Sequence, residues 1–304
     1  MGQRVATDGG VVDVERVTLY RAPTTVVDAD AVAAWLDDRV DASVEVEERL
    51  LGLLIERGVD GDADGDVALA EGEDGAEVED GAEIEDGDDA GDRDDDPAAA
   101  LARAFAEARV LSPYDRETGN TMLGIVRYEE RALAHPERAG GVIYDGLEVQ
   151  DALRERLASP LEHLHVPLLD RVIGTWGDHD GRWHKRVNVL GQPAIVSVPG
   201  LYEAPAKPEA YYREQQRHAL LTGDTPPREV LEEEVEGEFL VADDPRTTDA
   251  IGGYVLQAYH YLATGEAFCE DERCRLHNAH RQPGLVRAQL RDPEFCEEHA
   301  ELYG

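Results

Sequence analysis

The sequence predicts a mixed α+β domain: a layer of strands and helices that runs into a long helix and then into a cysteine-bearing tail. Three observations predict it. Short β-branched runs bounded by turn residues recur along much of the chain. Between them lie segments with apolar residues three and four apart, the period of a helix with one buried face. All three cysteines fall after residue 268, directly behind the longest helical pattern.

Taken in order, residues 14–20 (VERVTLY) alternate and are β-branched, which predicts a strand. In DADAVAAWLDDRV, Asp28 or Asp30 can cap a helix whose apolar face is Val32, Trp35, Leu36 and Val40. SVEVEERLLGLLIERG reads as a short strand entering a second helix, and this βαβ-type opening suggests an α/β layer. Pro97 suits the first position of the helix PAAALARAFAEARV. MLGIVRYEE and GGVIYDG read as strands, and LEVQDALRERL as a helix. HVPLLDRVIGTW, RWHKRVNVLG and AIVSVPG are three further strand candidates. The Pro-rich loop EAPAKPEAYY leads into the helix EAYYREQQRHALL. The last long helix, TTDAIGGYVLQAYHYLATG, carries Ile251, Val255, Ala258 and Leu262 on one face, and Gly265 ends it.

Residues 60–96 differ in kind. They hold 19 acidic residues and one basic residue, Arg93, with an internal repeat in EDGAEVEDGAEIEDG over 73–87. Such a segment buries too little apolar area to offset its chain entropy, so it reads as a disordered acidic insertion. The expected organisation is therefore one domain made of residues 1–58 and 98–304, interrupted by 59–97. Asp60, Asp62, Asp64, Gly65 and Glu71 match the spacing of a calcium loop, but the helix that should follow Glu71 is replaced by Gly-Glu-Asp repeats.

The formal net charge is −38, from 67 acidic residues against 27 Arg and only two Lys, Lys185 and Lys207. This is the composition expected of an organism living in high salt, where carboxylates keep the surface hydrated. Nothing forms a broad basic face, which argues against nucleic-acid binding. No run approaches the about 20 apolar residues of a membrane span, and residues 1–15 hold no signal-like apolar stretch, so a soluble cytoplasmic protein is expected.

The tail carries the chemistry. Cys269-x4-Cys274 is followed by Cys296-x2-His299. Thiolate is a soft, strong zinc ligand, and Cys3His is a standard tetrahedral set for structural zinc. Three cysteines cannot pair off completely into disulfides. His277 and His280 lie just past Cys274 and compete with His299 to be the fourth ligand.

Gly265, Cys269 and Cys274 reproduce GxxxCxxxxC, part of the HExxHxxGxxxCxxxxCxM motif of archaemetzincins, a family of zinc peptidases that this stretch resembles. Leu276 stands where that motif has Met, and Cys296-x2-His299 replaces a final CxxC. The upstream half departs from the family. Ala258 and Leu262 fall on the first two catalytic histidines, Tyr259 on the glutamate and Phe268 on the third histidine. The chain thus resembles an archaemetzincin that kept its structural zinc and lost its catalytic one. FCEDERCRLHNAHRQPGLVRAQLRDPEFCEEH and GLYEAPAKPEAYY are also similar to an uncharacterised archaeal family labelled as metallopeptidases, a resemblance running through most of residues 100–304. What these resemblances imply is a zincin (metzincin)-like layer with an active-site helix and one structural zinc.

Several other residues are candidates for a rebuilt catalytic site. His163 and His165 are two apart on a strand and face one side. His179 and His184 follow in GDHDGRWHKR. His260, two residues before Leu262, lies about 200° round a helix from it and cannot simply replace the lost ligand. Glu203 and Lys207 sit in a loop that could take a peptide terminus. Three readings result: a zinc-binding protein with a degenerate peptidase centre and a peptide- or protein-binding role; a metallohydrolase with ligands drawn from His163, His165, His184, His260 and nearby acids; or a thiol/zinc sensor. The acidic segment yields its own test. Deleting residues 60–96 should leave zinc content and thermal stability in molar salt nearly unchanged, and a fall of several degrees in melting temperature would show that the segment contributes to the fold.

Overall fold

The computed structural model describes residues 12–23, 26–59, 96–136, 140–157, 159–235 and 237–304. The acidic repeat and its calcium-like spacing lie outside the described residues. The chain opens with β1 (Arg16–Tyr20) and α1 (Ala29–Asp37). Of the two acids weighed as the cap of α1, Asp28 is the one that serves: its carboxylate accepts from the Ala31 amide at 3.0 Å. β2 (Ser43–Glu47) and α2 (Leu50–Val59) follow, then α3 (Pro97–Glu107), capped by Asp96 with Pro97 in its first turn. Next come α4 (Leu123–Ala134), β3 (Ile143–Asp145) and α5 (Gly146–Leu157). Five strands succeed one another: β4 (His163–Leu169), β5 (Val172–Gly177), β6 (Arg182–Arg186), β7 (Asn188–Val189) and β8 (Ile195–Ser197). The remainder is helical: α6 (Gly200–Glu203), α7 (Glu209–Thr222), α8 (Arg228–Glu234), α9 (Thr247–Thr264), α10 (Gln282–Leu290) and α11 (Glu297–Tyr303).

Three sequence expectations need correcting. MLGIVRYEE is helix, not strand: α4 buries Val126, Glu129, Ala132 and Leu133, a spacing of three, three and one that only a helix puts on one face. HVPLLDRVIGTW is not one strand but two, parted at Asp170–Arg171. RWHKRVNVLG likewise divides at Val187 into β6 and β7, which belong to different sheets.

The larger sheet has the order β2-β1-β4-β8-β7; the first four strands are parallel and β7 is an antiparallel edge. β1 and β2 come from the first 58 residues, yet β1 lies between β2 and β4, so both parts of the chain build one sheet. Alternation along each strand divides two cores. Val17, Leu19, Leu164, Val166 and Val196 face α1 and α9, whereas Tyr20, Leu169 and Ile195 face the side of α2, α3 and α5. The smaller sheet, β3-β5-β6, pairs β5 and β6 as a hairpin. The architecture is thus mixed α+β, with helices over both faces of the larger sheet. No helix among the described residues is long and apolar enough to cross a membrane.

The second core contains a charge cluster. Glu129, fully buried on α4, accepts from Arg109 at 2.7 Å, Arg171 at 2.9 Å and the Tyr144 hydroxyl at 3.1 Å. Arg171 is itself buried and stacks over the Phe105 ring at 4.5 Å. Burial pushes the Tyr144 phenol above its ordinary range, which keeps the hydroxyl protonated as a donor. Removing the anion leaves two guanidinium groups facing each other inside the protein. Glu129→Ala should therefore lower the unfolding free energy by about 3–5 kcal/mol, read from urea denaturation in molar salt.

Candidate metal centre

α9 determines where the tail begins. Its last turn ends at Gly265, whose φ of +78° is the left-handed cap that a glycine adopts without strain. The chain then forms a tight knuckle. The Cys269 amide donates to the Leu276 carbonyl at 3.0 Å, and the Cys274 amide to Asp271 O at 3.0 Å. The Asp271 amide points at Cys269 Sγ at 3.3 Å. Cys296 stands at the start of α11, one turn before His299.

These elements bring Cys269, Cys274, Cys296 and His299 together, with one ligand atom from each lying within 4.8 Å of the others. Cys269 Sγ and Cys296 Sγ are 3.8 Å apart. Two sulfurs bound to one tetrahedral zinc at about 2.3 Å would be separated by about 3.8 Å. Cys296 Sγ and His299 Nδ1 are 3.0 Å apart, about half an ångström short of the roughly 3.6 Å of the same tetrahedron. Burial pushes the Cys269 thiol up to about 12, with Cys274 and Cys296 adding to the rise, and it raises that of Cys274, where Cys296 adds to the rise and the contact with Cys269 opposes it. Backbone amides of Cys296 and Leu276 directed at Cys274 oppose the rise. A cation among these sulfurs reverses the penalty, because thiolate is the form that ligates.

Two further layers of side chains surround the Cys3His group. Behind His299, the ring of His260 stands edge-on at 5.2 Å, and His260 Nδ1 is 2.9 Å from the Tyr303 hydroxyl. Burial lowers the pKa of His260, with His299 adding to the effect, and raises that of Tyr303 to about 12, so the phenol stays protonated and can donate to a neutral imidazole. From the other side, the buried Gln257 of α9 donates to the carbonyls of Arg275 at 2.9 Å and His277 at 3.2 Å and accepts from Asn188 at 3.0 Å.

The structure takes the competing histidines elsewhere. His277 Nδ1 bonds the Cys269 carbonyl at 3.0 Å, bracing the knuckle from outside the ligand set. His280 is exposed, and its carbonyl accepts from the Ala206 amide. His163 and His165 lie side by side on β4, bonded to Thr18 and Tyr20 of β1 at 2.7 Å each. His184 on β6 is 2.9 Å from Asp180 Oδ1. Among the described residues, no cluster of ligand atoms joins His163, His165 or His260 to His184. At the positions aligned with the archaemetzincin ligands, Ala258 is fully buried in the first core and Phe268 is exposed. Lys207 is buried and holds Glu232 and the Leu240 carbonyl, while Glu203 pairs with Lys185 and Arg228; both residues of the loop are thus engaged internally.

A family of unknown function, DUF7001, matches residues 77–302, about three quarters of the chain. The chain belongs to that family. The DUF7001 match takes in all four residues of the Cys3His group and the whole of α9. No curated protein and no solved structure matches the chain.

The sequence marked the thiols but missed the parts of the centre that bear no ligand signature, Gln257 and Tyr303. A glutamine in the middle of an apolar helix face was the available signal for the first. The geometry separates the rival histidines experimentally. His299→Ala should lose bound metal on dialysis, whereas His277→Ala should retain it, as measured by elemental analysis per chain.

Proposed function

We propose that this DUF7001 protein is a zinc-binding protein whose Cys3His centre is structural. The observation that carries the reading is the closed ligand set: three sulfurs and one imidazole nitrogen account for all four positions of a tetrahedron, whereas a catalytic zinc keeps one position for water. Zinc suits three thiolates and an imidazole better than the hard cations, which take oxygen ligands. Its role is to tie the knuckle at Cys269–Cys274 to α11, closing the tail against α9.

The archaemetzincin resemblance supports the rest of the reading. In a working metzincin a metal polarises the scissile carbonyl and a glutamate takes the proton of the attacking water. Ala258, Tyr259, Leu262 and Phe268 supply neither function, so the peptidase centre is degenerate. What remains is binding of a peptide or protein partner. A cleft of about 610 Å³ beside α9 supports this role, with Lys185, Arg186, Tyr254, Phe268 and Asn278 among its walls. Cationic and aromatic walls in so acidic a chain suit an acidic or carboxylate-ended peptide.

The test is one preparation with two readouts. Purified protein dialysed against metal-free buffer in molar salt should carry one zinc per chain, and Cys274→Ser should lose it and loosen the C-terminal region. Structural zinc contributes roughly 10–16 kcal/mol in small peptide sites, so the loss should be plain in a thermal melt. The same preparation should cleave no member of a broad peptide library. Full zinc occupancy in Cys274→Ser, or cleavage that a chelator abolishes, would overturn the reading.

A further inference from the structure

The turn joining β5 to β6 gathers a second set of ligating side chains, well apart in sequence from the cysteines. One ligand atom from each of His179, Asp180 and His184 lies within 4.8 Å of the other two. His184 Nε2 is 2.9 Å from Asp180 Oδ1, and His179 Nε2 is 3.7 Å from the same oxygen. Nitrogen and oxygen ligands about 2.1 Å from one ion are roughly 3.0 Å apart at an octahedral angle and about 3.4 Å apart at a tetrahedral one. The observed separations straddle those values. The two imidazoles stack with centroids 5.7 Å apart and 13° between their planes.

The surroundings fit an ion better than they fit a chance surface pair. Asp180 divides its oxygens: Oδ2 accepts from Arg182 Nε at 2.7 Å, which leaves Oδ1 turned to the histidines. Orientation of a ligating carboxylate by an outer hydrogen bond is the usual support of a metal site. Gly177 forms the floor. A Cβ there would stand 2.6 Å from Asp180 Oδ1 and 2.7 Å from His184 Nε2, closer than van der Waals contact allows. Only a residue without a side chain leaves both ligand atoms where they are.

We propose that His179, Asp180 and His184 form a second, open site for a divalent first-row transition metal. Two imidazoles and one carboxylate leave further coordination positions for water or a ligand, unlike the closed Cys3His set. His184 also lines the cleft of about 610 Å³, so an ion on its ring stands at the edge of the space assigned to a partner. The site does not depend on the structural-zinc reading. It is weaker and exchangeable, because it has three ligands and His179 is mostly exposed.

Cobalt(II) is the probe. Protein as purified is dialysed against Co²⁺ in molar salt, which screens loose binding by surface carboxylates. One Co²⁺ per chain should bind beyond the zinc, without thiolate-to-cobalt charge-transfer absorption. Outer-layer changes at metal sites cost 10–100-fold in affinity, so removing a ligand by His184→Ala or Asp180→Asn should weaken this binding by at least about 100-fold. Zinc content and near-ultraviolet circular dichroism should be unchanged in both variants, which shows that they fold. No uptake beyond the zinc, or uptake that His184→Ala leaves intact, would reduce the cluster to a hydrogen-bonded His–Asp pair. Thiolate charge transfer on cobalt addition would place the ion in the cysteine site and also overturn the proposal. The zinc content of the starting protein reads the structural centre separately.

Discussion

The side-chain amide of Gln257 is the point on which the tail depends. It is fully buried in a helix face otherwise made of Ile251, Val255 and Ala258, and its amide makes three hydrogen bonds to groups outside the helix. Two go to carbonyls of the knuckle that carries Cys274, and one comes from Asn188 of the sheet. A buried amide left unpaired costs roughly 1–3 kcal/mol, so the knuckle, the sheet edge and α9 hold one relative position. Gln282 and Gln289 repeat the device around it: the first bridges Leu201 and Leu240, and the second donates to the same Arg275 carbonyl that Gln257 holds. Two of the three glutamines thus fix the backbone that follows Cys274 by polar contacts within the protein.

Much of this was legible in the sequence, for physical reasons. Thiols clustered behind a helix stop are rare, and a capping aspartate next to an apolar period is a local signal that survives into the fold, as at Asp28. α9 was legible because its period and its terminal glycine agree. α4 was not, since its buried face includes a glutamate whose partners Arg109 and Arg171 are supplied by distant segments. Read alone, Glu129 breaks the apolar pattern; in the fold it completes a core. The hairpin cluster was half legible, since His179 and His184 stood out in GDHDGRWHKR and Asp180 did not. His179 and Asp180 are adjacent in sequence and His184 is four residues on, and only the turn between β5 and β6 shows that the three converge.

Charge is arranged by depth. The exposed carboxylates contribute little through pairwise contacts, because an ion pair at the surface is worth only about 0–1 kcal/mol. The pairs that matter are withdrawn from solvent: Glu129 with its two arginines, Lys207 with Glu232, and Arg275 with Glu294 at 2.8 Å. Arg275 also lies over the Trp35 ring at 4.6 Å, with Arg39 over the same ring at 4.2 Å, so an aromatic surface completes what the carboxylate begins. These contacts tie α1 to the segment just before Cys296.

The placement of β1 has a consequence for how the chain reaches this state. Among the described strands β1 comes first, yet one of its two neighbours is β4, with ladder partners such as Arg16 and His163 lying 147 positions apart. Parallel partners so distant close large loops before they gain contacts, which slows folding. During synthesis β1 can pair with β2 at once, but its other edge stays open until β4 has emerged. An open, apolar strand edge is a site for wrong partners. Between the two parts of the sheet the sequence places 19 acidic residues over 60–96, and like charge of that density opposes the close approach of a second copy of the chain.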